Sequence, residues 1–210
     1  MRQTLENLDA VLNDPVCQIV KSDNTTTVGM ISCDGKKFIV KRYNTKNLWH
    51  YVRRSLRRAR AENCWHFARL LHGLGVPTAP AVAWIQESVG PLNARSWFIS
   101  DFIEGPTCQD HLTSNIELSQ AQVVLHRIVK AWKTLREHHI SHGDMKASNI
   151  LLHWERPLLV DLDATRQHRS RRSYQEALES DVQRFLKNWQ KSPQLLEASR
   201  KLLASEKFPV

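Results

Sequence analysis

The segment His142-Gly143-Asp144-Met145-Lys146-Ala147-Ser148-Asn149, with what flanks it, decides how the chain folds. Upstream, residues 117–139 place Leu118, Ala121, Leu125, Ile128, Trp132 and Leu135 at alternating steps of three and four, which is one face of a helix. Ser119 and Gln122 resemble a capping box at its start. Downstream, ILLH (150–153) and PLLVDLD (157–163) read as a short apolar hairpin. A polar loop mounted between a long apolar helix and an apolar hairpin is held rigidly. Past the hairpin the pattern is helical, over about 174–190 and, after Pro193, over 193–205.

The first half of the chain reads differently. VCQIVKSD (16–23) leads through a polar tip, Asn24 to Thr27, into VGMISC (28–33). Asp34-Gly35 then turns the chain into KKFIVKRY (36–43), and Asp-Gly between apolar runs is a strong hairpin signal. A long helix is predicted over 47–72, with Leu48, Val52, Leu56, Ala59 and Leu70 as its apolar stripe, and Gly73, Gly75 and Pro77 end it. AVAWIQ (81–86) and RSWFISDF (95–102) read as two further strands, joined through Gly90-Pro91-Leu92-Asn93. Strands with one helix thus give way to helices with one hairpin near 101–105. The expected class is α+β, divided into 1–103 and 104–210. No internal repeat or low-complexity linker interrupts it.

The 210 residues carry 30 Lys plus Arg against 21 Asp plus Glu, a formal charge of +9. That balance favours anionic partners without choosing among nucleic acid, anionic lipid and phosphorylated substrates. MRQTLENLDAVL contains no apolar run of the signal-peptide kind, and no stretch reaches the roughly 18 apolar residues of a membrane span. Cys17, Cys33, Cys64 and Cys108 lie far apart, in no zinc or disulfide spacing, and are expected as reduced thiols in a cytosolic protein. Five arginines (53, 54, 57, 58 and 60) with Trp49 and Trp65 nearby form a basic segment suited either to solvent or to an anionic membrane surface. No nucleic-acid motif accompanies the charge, so nucleic acid is an unlikely partner.

HGDMKASN matches the phosphoryl-transfer loop H-R-D-x-x-x-x-N with Gly in place of Arg. In that pattern Asp144 takes or orients the proton of an acceptor hydroxyl, and Asn149 turns back to hold magnesium. Lys146 is placed to neutralise charge on the transferring group. The apolar run Leu158-Leu159-Val160 ends in Asp161, the favoured second magnesium ligand, with Asp163 behind it; D-F-G reads D-L-D here. Phe38-Ile39-Val40-Lys41 parallels V-A-I-K, whose lysine reaches nucleotide phosphates and needs a helical glutamate, for which Glu62 is the candidate. His138 and His139 are adjacent and point to different sides of a helix end. A metal site is therefore not expected, and His142 is assigned to packing within the loop.

With these residues in order, the chain resembles the protein-kinase-like superfamily and, more narrowly, the bacterial lipopolysaccharide core kinases that phosphorylate heptose or Kdo sugars. The narrower likeness rests on FIVKRY (38–43), LLHGLGVPTAP (70–80), HGDMKASNILL (142–152), LLVDLDATR (158–166), DVQRFLKNW (181–189) and the arginine-rich helix. The resemblance implies a two-lobed fold with a small antiparallel-sheet N-lobe and a reduced helical C-lobe, and direct transfer from ATP with Mg2+. It implies that Lys41, Glu62, Asp101 and Ile103 contact the nucleotide and that Asp181 braces the catalytic loop. Arg166, Arg169, Arg171 and Arg172 would then face an acceptor that already carries phosphate. It implies an anionic glycolipid acceptor of the lipopolysaccharide core, met at the cytoplasmic side of the inner membrane through peripheral contact. Two departures from kinases stand out. No G-x-G-x-x-G loop is present, Gly29 being the lone glycine near the first hairpin, so Asn24 to Thr27 would have to cover the phosphates. No A-P-E follows Asp161. The alternatives are an atypical RIO-like protein kinase and a pseudokinase scaffold.

Overall fold

The structure is a computed structural model that describes residues 8–13, 17–44, 59–89, 92–114 and 116–210. The chain is α+β, with an antiparallel five-stranded sheet in its N-terminal part and helices in its C-terminal part. It divides into two compact units: Met1–Arg69 with Ala79–Phe102, and Leu70–Thr78 with Ile103–Val210.

In the first unit the strands are β1 (Gln18–Ser22), β2 (Thr26–Cys33), β3 (Lys36–Tyr43), β4 (Ala81–Val89) and β5 (Leu92–Asp101), ordered β1-β2-β3-β5-β4. Asp34 and Gly35 both take positive φ, 51° and 75°, the primed hairpin turn that matches strand twist. Successive side chains of β3 face opposite ways. Phe38 and Val40 enter a core with Ile31, Trp97 and Ile99, roofed by Leu8 and Leu12 of α1 (Leu8–Asn13). Gly29 pairs with Val40 on that face, and a Cβ there would lie 2.7 Å from both Leu12 and the Cys17 sulfur. The glycine is therefore where α1 crosses the sheet. Asp9 of α1 ties the roof down, pairing with Arg42 at 3.0 Å and with Arg95.

The β1–β2 tip departs from the expectation. Thr26 and Thr27 are buried within β2, which leaves Asn24 and Thr25 as the more exposed residues of the tip. Asp23 closes the tip, accepting from the Thr25 hydroxyl at 2.6 Å and from the amides of Thr25 and Thr26 at 2.7 and 2.9 Å. These bonds, that of the Thr25 hydroxyl foremost, hold the Asp23 carboxyl well below the usual carboxylate range.

Helix α2 is described over Arg60–Gly73. Its predicted first part, with Leu48, Trp49, Val52, Arg53, Arg54, Leu56, Arg57 and Arg58, lies outside the described residues, as does the Gly90-Pro91 turn. The buried stripe is Ala61, Cys64, Phe67, Ala68 and Leu71, while Ala59 and Leu70 are only partly buried. Three of its five residues, Ala61, Cys64 and Ala68, are small.

The second unit contains α3 (Cys108–Thr113), α4 (Leu118–Glu137), the two-residue strands β6 (Ile140–Ser141) and β9 (Arg166–Gln167), the hairpin β7 (Ile150–His153) with β8 (Arg156–Leu159), then α5 (Arg171–Lys187) and α6 (Pro193–Ser205). Trp132 of α4 packs on Phe185 and Phe208 at centroid distances of 5.7 and 5.1 Å, and Phe185 on Trp189 at 5.8 Å. The expected capping box does not form. Glu117 is the N-cap without a side-chain bond, and Ser119 sits inside the first turn, donating to the Glu117 carboxylate at 3.3 Å. Helix α5 starts three residues before the expected 174, because the Ser170 side chain caps it by accepting from the Ser173 amide. None of the four cysteines is in a disulfide, and burial pushes Cys108 up to about 12.

Candidate active site

The loop between β6 and β7 is built around a carboxylate that never meets solvent. Asp181 of α5 is fully buried. One of its oxygens accepts from the His142 and Gly143 amides at 2.8 and 3.1 Å, and the other from the Met145 amide at 3.4 Å. His142, also fully buried, ties the loop to its neighbours. Its Nε2 donates to the Val160 carbonyl at 3.1 Å, and its own carbonyl accepts from the Thr165 hydroxyl at 3.2 Å. Burial pushes the imidazole below its ordinary pKa, so the ring is neutral. The expectation that His142 packs within the loop describes what it does.

Gly143 explains the missing arginine of the motif. Its φ is +82°, and a Cβ would stand 2.5 Å from the Ala164 carbonyl oxygen and 2.9 Å from the Ala164 side chain. No side chain fits where the loop presses against the residues after Asp161. A guanidinium reaches the loop from elsewhere: Arg184 donates to the Gly143 carbonyl at 3.0 Å and lies 3.8 Å from Asp144 and 3.7 Å from Asp181. The sequence reading passed over Arg184. Its signal was the spacing from Asp181, since residues three apart share a helix face.

Asp144 is held from one side. Its Oδ2 accepts from Lys146 Nζ at 2.9 Å and from Asn149 Nδ2 at 3.1 Å. Its Oδ1 has the Arg184 Nε at 3.8 Å, beyond hydrogen-bond distance, and is left able to accept a hydroxyl proton. Asn149 Nδ2 also donates to the Asp144 carbonyl at 2.9 Å, so its amide nitrogen is committed and its carbonyl oxygen is the atom left for a cation.

The hairpin brings the two expected metal ligands to one end. Asn149 directly precedes β7, Asp161 follows β8 by one residue, and the Val160 amide donates to the Asn149 carbonyl at 3.0 Å between them. Asp161 takes φ 63° and ψ 53°, a left-handed conformation that a non-glycine residue adopts only where its surroundings impose it. A carboxylate beside an amide oxygen is an all-oxygen donor pair, which fits a hard divalent cation such as Mg2+. Asp163 lies in the short turn Leu162–Ala164 that follows.

The remaining candidates are distributed. Lys41 shares a face of β3 with Tyr43, its ammonium 5.2 Å from the Tyr43 ring, and the Tyr43 hydroxyl meets Cys64 of α2 at 3.1 Å. Lys41 thus points to the side of the sheet that α2 covers, and Glu62 lies in the first turn of α2. Asp101 ends β5, its amide bonded to the Pro80 carbonyl, and Ile103 begins the longer of the two segments of the second unit. Of the four arginines, Arg166 is on β9 opposite Ser141 and Arg169 follows it. Arg171 and Arg172 belong to the first turn of α5 instead of a loop, and Arg172 pairs with Glu176 at 3.1 Å.

No curated protein matches the chain. The sequence model of the lipopolysaccharide kinase (Kdo/WaaP) family matches residues 14–201, a span that holds Lys41, Glu62, the Asp144 loop, Asp161 and the Asp181–Arg184 brace. The chain therefore belongs to the lipopolysaccharide kinase (Kdo/WaaP) family.

Proposed function

We propose that the protein transfers the γ-phosphate of ATP to a sugar hydroxyl of the lipopolysaccharide inner core, working at the cytoplasmic face of the inner membrane. The observation that carries this is the state of Asp144, one oxygen fixed by Lys146 and Asn149 and the other open to a hydroxyl. Asp144 orients the acceptor hydroxyl and takes its proton as the bond to phosphorus forms. Lys146 offsets charge on the transferred group. Asn149 and Asp161 hold the magnesium ion, while Lys41, kept in place by Glu62, meets the phosphates. Asp101 and Ile103 lie against the rest of the nucleotide. Magnesium-bound ATP supplies the electrophilic phosphoryl group. Arg166, Arg169, Arg171 and Arg172 serve an acceptor that is already anionic. Binding is peripheral, through the basic residues of the chain; no helix among the described residues is long and apolar enough to cross a membrane.

The test is transfer from γ-labelled ATP with magnesium to dephosphorylated lipopolysaccharide core and to a generic protein. Label is expected in the core, and Asp144→Ala should lower the rate on the order of a hundred- to ten-thousand-fold. Label on protein alone favours the RIO-like reading. No label in either acceptor, with no thermal shift on adding ATP, leaves the pseudokinase scaffold.

A further inference from the structure

Asp144 Oδ1, the oxygen left for a hydroxyl proton, has a cation standing off beside it. The Arg184 Nε is 3.8 Å away. That separation is too long for a direct hydrogen bond and suits an oxygen placed between donor and acceptor, bonded to both. Lys146 leaves no such gap, since its ammonium is bonded to Oδ2 at 2.9 Å.

The way the guanidinium is held makes the second observation. Nη1 donates to the Gly143 carbonyl at 3.0 Å and lies 3.7 Å from the buried Asp181. Nε and Nη2 make no hydrogen bond among the described residues. These two nitrogens share one edge of the planar group and carry parallel N–H bonds, the fork that takes two oxygens at once. The Arg184 side chain is 42% exposed and that of Asp144 28%, so a ligand can reach the fork and the carboxylate together. The Nη1 bond is enough to brace the loop. The free edge is left for something the fold does not supply.

We propose that Arg184 is a further catalytic residue that grips two adjacent hydroxyls of the sugar acceptor. Nε–H donates to the reacting hydroxyl, which itself donates to Asp144 Oδ1, and Nη2–H donates to the hydroxyl on the neighbouring ring carbon. The reacting oxygen then has one lone pair turned to the guanidinium and the other free for phosphorus. As its bond to phosphorus forms, its proton passes to Oδ1, and the electron pair of the broken P–O bond leaves with the nucleoside diphosphate. The second contact decides which hydroxyl is phosphorylated, because only a hydroxyl with a correctly placed neighbour fills both donors. The inference rests on the kinase reading above and narrows its acceptor to a vicinal diol.

The experiment is a cycle between residue and acceptor. Label transfer from ATP is measured for the parent and for Arg184→Lys on a soluble inner-core oligosaccharide. It is measured again on the same oligosaccharide with hydrogen in place of the hydroxyl next to the one the parent phosphorylates. Lysine keeps the charge but has no fork. In the parent, loss of the adjacent hydroxyl should lower kcat/KM about tenfold, as befits one charge-assisted hydrogen bond. Arg184→Lys should be slower by about tenfold or more on the intact acceptor, with KM for ATP unchanged, and should lose nothing further on the deoxy acceptor. A residue that only braces the loop slows both acceptors alike, so the two losses would multiply. Multiplied losses, or a lysine variant as fast as the parent, would overturn the role of Arg184 and leave the kinase reading standing. A parent that transfers no label to the intact oligosaccharide would overturn both.

Discussion

His142 shows how much one buried side chain can organise. Its amide goes to Asp181, its carbonyl to Thr165 and its Nε2 to Val160, so it fastens both halves of the candidate site. The Val160 bond makes Nε2 the protonated nitrogen, and the buried Nδ1 has no partner. Burial lowers the imidazole pKa from 6.5, against the pull of Asp181, Asp161 and Asp144. The unfolded chain then binds the proton before the folded one as pH falls. Stability should be full above about pH 6.5 and decline below it, by up to about 1.4 kcal/mol per pH unit, until the folded ring itself protonates. Urea unfolding of the parent and of His142→Gln across this range measures the contribution. His168, also lowered by burial, adds to the slope of both proteins, so the difference between them isolates His142. Parallel slopes would remove His142 from the account. Of the residues here, Asp144, Asn149 and Asp161 were singled out by motif spacing, and Asp181 by what the resemblance implies. Arg184 was marked by its spacing from Asp181 alone, and the reason for Gly143 by nothing local, since both act through contacts with segments distant in sequence.

At the scale of elements, α4 is the post on which the second unit is built. Trp132 is fully buried between Phe185 of α5 and Phe208 beyond α6, so three segments meet on one indole. Trp132→Ala should cost about 3–5 kcal/mol, the range for deleting a large buried aromatic. A loss under about 1 kcal/mol in a denaturant melt would mean that the helices do not depend on this stack. Helix α4, the β7–β8 hairpin and the Asp34-Gly35 turn were readable because periodicity and turn chemistry agree there with the tertiary fold. The small members of the buried stripe of α2, Ala61, Cys64 and Ala68, carry little hydropathy signal, and burial follows contact. The start of α5 was missed because its first turn holds Arg171 and Arg172, residues that oppose the dipole and that only the Ser170 cap makes tenable. Gly29 could not be interpreted from sequence at all: its meaning is the approach of Leu12 from another element.

The whole molecule carries +9, and in its family the acceptor is lipopolysaccharide, so the charge bears on where the protein sits. Arg53, Arg54, Arg57 and Arg58 form the densest basic run in the sequence and lie outside the described residues, so their part is argued from charge alone. A basic segment near an anionic leaflet gains about 1 kcal/mol per residue, roughly fivefold in partitioning, and the gain fades as salt shortens the Debye length to about 10 Å near 0.1 M. Sedimentation with vesicles should therefore recover the protein with anionic lipid at low salt, much less with zwitterionic lipid, and less again as salt rises. Replacing the four arginines with glutamine should lower recovery on anionic vesicles by about fivefold per residue at low salt. It should leave ATP turnover on a soluble core fragment unchanged, since none of the four belongs to the candidate site. Equal recovery on both lipids would show that charge does not hold the protein at the membrane. Recovery that depends on anionic lipid but not on these arginines would move the contact to the other basic residues of the chain.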